Sequence, residues 1–214
     1  MDLINNSNYN IILGSSSTRR KELLEMTGIS FQVNSIPVNE DFPEHLKAKE
    51  IAEYIVENKA APFQKIVENN QIIILADTLV WFEDECWGKP KDKNDAKSML
   101  KMFAGNSHDV ITSVGFLTEK NFEILTESTK VTYKLLTEKE IDFYVETINP
   151  VDKAGSYGIQ DGFSVFIKNI NGCYFNVMGF PLSKFFHQYK MIFKSLWKEI
   201  NIGYFSFFHC VMKM

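Results

Sequence analysis

The chain has 214 residues, 45% of them apolar, and a formal net charge of −4. That is enough apolar surface for one large domain or two closely joined small ones, and without a basic excess the chain is no expected partner of a nucleic-acid backbone. The three cysteines (Cys86, Cys173, Cys210) and four histidines show no metal-ligand spacing, the first ten residues lack the pattern of a signal peptide, and no apolar run approaches a membrane span; neither a histidine-ligated zinc site nor a membrane span is expected, and a reducing compartment, the cytoplasm, is.

Residues 10–13 (NIIL) read as a first strand. A small-residue loop follows, Gly14 to Ser17, and then a helical pattern with Leu23, Leu24 and Met26 on its apolar face and Gly28 as its stop. A strand, a hydroxyl-rich loop and a helix start make a ready anion site, because free N–H groups and the helix dipole both face the loop. Arg19 and Arg20 oppose that dipole, and a bound polyphosphate would explain them. The alternative is an ordinary Ser cap with two exposed arginines. The phosphate-loop pattern G-x-x-x-x-G-K-[ST] is absent.

Residues 31–33 are expected as a short strand leading into an acidic loop with Glu40 and Asp41. Pro43 is expected to open a helix running to about Ala60, with Ile51, Tyr54, Ile55 and Asn58 as its stripe. Lys59 lies on the same side as Ile55, so it either snorkels or reaches a site. A second helical piece is expected over 62–68.

The most informative stretch is IIILADTLVWFEDECWGKPK, residues 72–91. Its opening apolar run reads as a strand buried on both faces, with Asp77 at its carboxyl end, followed by Thr78. A carboxylate there is costly unless it has a partner or a task, and that end of an open sheet is where ligands sit. The loop Gly88-Lys89-Pro90-Lys91 then brings two ammonium groups. Acid and basic loop facing one another across a cleft would hold phosphate, with the acid binding a metal or taking a proton. The alternative is a buried acid capping a turn beside a solvated lysine loop.

Asp92 is expected to cap a helix carrying Ala96, Met99, Leu100 and Phe103 and ended by Gly105. Strands are expected over 110–117, 123–129 and 131–135, then a capping box, Thr137 to Glu140, before a helix stopped by Pro150. The glycine-rich run 152–162 reads as a loop packed close to something. In it Gln160 can both donate to and accept from a base edge, and Lys153 and Asp161 are either site charges or a structural pair. A strand over 163–170, a turn at Asn171-Gly172, a returning strand over 174–178 and a helix opened by Gly179-Phe180-Pro181 complete the reading. The apolar segment after about Trp197 has no clear period: an edge strand, an oligomer contact or an extension.

Five of these pieces, residues 14–24 (GSSSTRRKELL), 76–78 (ADT), 88–92 (GKPKD), 152–160 (DKAGSYGIQ) and 176–182 (NVMGFPL), resemble the Maf family of nucleoside triphosphate pyrophosphatases in order and spacing. The resemblance runs from about Ile11 to about Tyr189. It implies an α/β fold, an elongated mixed twisted sheet with helices on its faces and two lobes around a cleft. It makes 1–197 one domain and 198–214 an atypical apolar extension. It also implies hydrolysis of a nucleoside triphosphate to the monophosphate and diphosphate, with Mg²⁺ or Mn²⁺, in the cytoplasm; a homodimer stays open. Asp77 matches the family's proton acceptor, and Ser15, Arg19, Arg20, Glu40, Lys59 and Lys89 match positions lining the phosphate and metal site, with Glu40 and Asp77 as metal ligands. Arg20, Thr78 and Gln160 fit the dTTP/UTP branch rather than the 7-methyl-GTP branch. Thr18, Cys173 and Phe180 stand where the family usually has Pro, a serine or an acid, and Leu. Two alternatives remain: the same reaction on modified purine triphosphates, and a nucleotide-binding regulator of cell division that does not need turnover, against which the intact acid and full basic set argue.

Overall fold

The computed structural model describes residues 9–192, so the apolar segment 198–214 lies outside the described residues. A seven-stranded mixed sheet runs through the fold in the order β2-β1-β3-β5-β6-β7, with β4 also paired to β3. β1 (Asn10–Leu13) lies parallel to β2 (Gln32–Val33) and to β3 (Gln71–Phe82). β4 (Glu85–Trp87), β5 (Ser107–Leu117), β6 (Phe122–Tyr133) and β7 (Ile167–Asn171) join antiparallel. None of the described helices is long and apolar enough to cross a membrane.

β3 is longer than its opening apolar run suggests. β5 pairs with it from Ile73 to Trp81, so Asp77 sits in mid-strand and not at the strand's carboxyl end. What ends near Asp77 is the parallel partner: β1 covers β3 only from Gln71 to Ile74, and β4 takes up the same edge only at Val80. Between them, among the described residues, no strand lies beside the edge of β3.

The two faces of β3 carry different layers. On one, Ile73, Leu75 and Leu79 pack under α2 (Lys49–Gln64), against Ile51, Ala52, Ile55, Val56, Ala60 and Phe63. On the other, Ile72, Ile74 and Ala76 pack against Leu23 and Leu24 of α1 (Thr18–Glu25) and, with Val114 and Phe116, against Phe185 and Tyr189 of the last described helix, Leu182–Ile192. Further along that face Val80 and Phe82 meet α3 (Lys93–Phe103), α4 (Glu138–Ile148) and the aromatic side chains Tyr157 and Phe163.

Local chemistry explains most boundaries. Ser17 caps α1 from the Arg20 N–H, so Thr18 serves as first helical residue without proline's help. Asp92 caps α3, and Thr137 with Glu140 forms the expected capping box. The helix expected from Pro43 starts later, at Lys49, and contains Pro62, which the sequence reading placed in a separate helix; the buried Ala60 and Phe63 on either side keep that turn packed. The two strands expected over 123–135 are one strand, β6, because nothing interrupts its pairing with β5. Residues 162–166 form a 3-10 turn, capped by Asp161 and pinned by buried Phe163, before β7 begins. The returning strand expected over 174–178 is a short helix, α5 (Tyr174–Val177), anchored by Asn176, which donates to Val110 O (2.9 Å) and Thr129 Oγ1 (3.0 Å). Met26, expected on the apolar face of α1, is exposed.

Under the cleft-side layer His108 is buried among Phe103, Tyr133 and Tyr157, with its Nε2 2.9 Å from Tyr157 Oη. Burial pushes the imidazole down to about 3. A group held neutral in the fold and protonated when released stabilises fully above its unfolded value, near 6.5, and that contribution is lost as the pH falls through 6.5 toward 3. Urea denaturation should therefore show about 2 kcal/mol lost between pH 7 and pH 5 in the wild type. His108→Gln should flatten that slope.

Candidate active site

A cleft of about 840 Å³ lies along the unpartnered edge of β3. Both faces of the strand reach it there. Strand alternation sends Asp77 to the α2 side and Thr78 to the α1 side, and both line the same space. Ser15, Arg19, Arg20, Glu40, Lys59, Lys89 and Gln160 line it as well, so the side chains that the family resemblance marks for the phosphate, metal and base meet in one cavity. Asp41 does not: it is engaged by Asn39 Nδ2 (2.7 Å) on the loop's other side.

The acidic side is built around one ammonium. Lys59 leaves the core-facing stripe of α2 and places Nζ 2.7 Å from Asp77 Oδ1 and 2.8 Å from Glu40 Oε1, and 3.4 Å from Ala76 O on the open edge. Asp77 is only 8% exposed, and the Lys59 ammonium is its ion-pair partner there; a nearly buried carboxylate without such a partner is costly. For Glu40, burial works to raise the carboxyl, but the hydrogen bond and charge of Lys59, with the charges of Lys89 and Arg20, outweigh it and hold it below its ordinary value. The two carboxylates thus converge within one ammonium's reach. As hard oxygen donors they suit a small divalent cation that completes its shell with phosphate oxygens and water. Among the described residues no group of three or more such ligands exists.

The basic side starts at the end of β1, where Gly14 N donates to Ile74 O (2.8 Å) and the chain turns away. Arg20 is held as a fork: Nε donates to Gly179 O (3.1 Å), Nη2 to Thr78 Oγ1 (3.0 Å) and Nη1 to Ser15 Oγ (3.4 Å). Burial lowers the guanidinium from its ordinary value, and the charges of Asp77 and Glu40 oppose that. Gly179 adopts φ 104°, a backbone conformation that favours glycine, and a Cβ there would come 3.3 Å from Thr78 Oγ1 and press on it. Arg19 Nη1 donates to Asp152 Oδ2 (3.3 Å), whose other oxygen takes Lys153 Nζ (3.0 Å). That pair links α1 to the glycine-rich loop. The loop is tied to the basic loop by Gly155 N donating to Gly88 O (3.0 Å). It presses on β3 so closely that a Cβ on Gly155 would meet Val80 Cγ2 at 2.9 Å. Gln160 and Lys89 stand exposed at the rim.

A family model described as "Maf-like protein" matches residues 10–192. The chain belongs to the Maf-like family. A protein of Phocaeicola vulgatus named dTTP/UTP pyrophosphatase is 42% identical, covering 89% of this chain and all of its own length. Proteins of the same name from Bacteroides fragilis (89% of this chain, all of its own) and Flavobacterium johnsoniae (82% of this chain, 91% of its own) are each 41% identical. Among solved structures, the Staphylococcus aureus Ham1 protein overlaps 58% of this chain and 71% of its own at a TM-score of 0.42 and 9% identity, a distant likeness that bears on neither fold nor function.

Several contacts of this Maf-like site are not visible in the sequence. Lys153 pairs with Asp152 and not with Asp161, which instead accepts from Tyr144 Oη (3.1 Å) and caps the 3-10 turn. The adjacency of Asp152 and Lys153 was visible; their partner Arg19, 133 positions away in sequence, was not. Cys86 also lines the cleft. Burial, and then the charge of Asp77, push its thiol up to about 11, so it offers no thiolate near neutral pH. Thr112, entirely buried behind Thr78, reads in sequence as one more β-branched strand residue.

The pairing of Lys59 with the two acids has a measurable cost when broken. Lys59→Met should destabilise the protein by about 3 kcal/mol in urea at pH 7, because the nearly buried Asp77 carboxyl loses its ion-pair partner. Adding Asp77→Asn to that variant should restore at least half of the loss.

Proposed function

We propose that this chain hydrolyses dTTP and UTP to the nucleoside monophosphate and diphosphate. The observation that carries the reading is the meeting, in one cleft, of an ion-paired acid from one face of β3 with an arginine fork from the other. The names of the relatives support the substrate class.

In this reading water attacks the α-phosphorus. Asp77 accepts the water's proton, the bond from the α-phosphorus to the bridging oxygen breaks, and diphosphate leaves. Lys59 holds the Asp77 carboxylate in place and supplies charge beside it. Arg19, Lys59 and Lys89 stabilise charge on the leaving diphosphate, and Arg20, its plane fixed by three hydrogen bonds, stands with Thr78 toward the base. Asp77 and Glu40 would hold Mg²⁺ or Mn²⁺, which when bound supplies Lewis-acid stabilisation of the phosphate oxygens. Thr78 and Gln160 face the pyrimidine. With no basic excess and a free-nucleotide substrate, we place the enzyme in the cytoplasm.

The purified protein should release diphosphate, not orthophosphate, from UTP and dTTP in the presence of Mg²⁺. A chelator should abolish release, and Mg²⁺ or Mn²⁺ should restore it. Asp77→Asn should lower kcat by about a hundredfold or more while still binding nucleotide. Full turnover in that variant, or orthophosphate as the product, would refute the assignment.

A further inference from the structure

Behind Thr78 lies a line of hydroxyls with a direction. Thr78 Oγ1 is 3.0 Å from Thr112 Oγ1, its partner across β3 and β5. Thr112 Oγ1 donates to Asn176 O at 3.1 Å. That carbonyl is firmly placed: Gly179 N donates to it (2.9 Å), and the fully buried Asn176 side chain is fastened to Val110 O and Thr129 Oγ1. The other acceptor within reach of the Thr78 proton is Gly179 O, at 3.5 Å, which already takes Arg20 Nε at 3.1 Å.

Each hydroxyl has one proton and two lone pairs. Three short bonds form together in only one order: Arg20 Nη2 donates to Thr78, Thr78 to Thr112, and Thr112 to Asn176 O. The reverse order leaves Asn176 O without the Thr112 proton and sends the Thr78 proton to the longest contact of the set. In the favoured order Thr78 has no proton to give a ligand. It retains one lone pair, so toward the cleft it accepts only.

We propose that Thr112 is a positioning residue for nucleobase specificity: by taking the Thr78 proton, it makes Thr78 an acceptor that favours an imide base, uracil or thymine, over cytosine. Uracil and thymine present an N3–H donor between two carbonyls. The N–H meets the Thr78 lone pair, while the carbonyls suit the remaining N–H groups of Arg20. Cytosine presents an N3 lone pair and an amino group, so lone pair would meet lone pair and donor would meet donor. A site built to pair with one such pattern rejects the other because its own polar groups are left unpaired. This inference rests on the reading of the cleft as a pyrimidine nucleotide site.

The test is calorimetric binding of the α,β-imido analogues of UTP and CTP, with Mg²⁺, to the wild type, Thr112→Val and Thr112→Ser. The wild type should prefer the uridine analogue by about tenfold or more. Thr112→Val keeps the shape and removes the acceptor, so the Thr78 proton can turn to either base. Its preference should fall below about threefold, chiefly through tighter binding of the cytidine analogue. Thr112→Ser, which keeps the hydroxyl, should keep the preference. Should Thr112→Val fail to fold, Thr112→Ala should show the same loss. A preference unchanged in Thr112→Val, or lost equally in Thr112→Ser, overturns the proposal. Diphosphate release from UTP is followed on the same wild-type sample. No release with a Thr112-dependent preference intact overturns the hydrolase reading and supports this one, and no binding of either analogue overturns both.

Discussion

The site depends on an interruption in strand pairing. Along one edge of β3 the parallel partner β1 stops opposite Ile74, and β4 does not begin until Val80. An open strand edge is normally a hazard, because its unpaired amides and carbonyls invite another strand. Here it is short, enclosed by loops, and gives both faces of a central strand access to one cavity. A fully paired strand would keep Asp77 and Thr78 on opposite sides of a wall. The gap lets consecutive residues, which must point apart, address the same ligand.

Charge is then balanced locally and not by the chain's total. The chain carries −4, yet the cleft gathers arginine and lysine heads around two carboxylates. Lys59 joins the two sets. Its stem runs along the apolar face of α2 while its ammonium sits between Asp77 and Glu40, so helix packing fixes the position of the charge. Such an arrangement suits an anion that arrives with its own cation: the acids can exchange one positive partner for another, and the basic groups remain for the phosphates.

Rigidity comes from the layer beneath. Arg20 is aimed by a backbone carbonyl and two hydroxyls, and one of those hydroxyls is backed by Thr112 and the anchored α5. The glycine-rich loop gains its place differently. Gly155 permits contact with Val80 that no larger residue allows, and the Arg19–Asp152–Lys153 pair ties the loop across the cleft. The rim residues Gln160 and Lys89 are carried on these tied loops.

The amino-acid sequence determined the local units and the chemical cast. Caps at Ser17, Asp92 and Thr137, the buried run of β3, and the site residues from Ser15 to Gln160 were legible because each rests on local spacing, propensity or a run of motif residues. It misread what depends on partners distant in the chain. Asp77 was placed at a strand end because strand length is set by pairing with β5, which the run itself does not record. The returning strand over 174–178 is α5 because Asn176 finds its partners on β5 and β6. Lys153 was left between two roles because Arg19 comes from the other end of the chain. The line of hydrogen bonds from Arg20 through Thr78 and Thr112 to Asn176 O likewise exists only in the tertiary structure, since only the folded sheet brings these residues together.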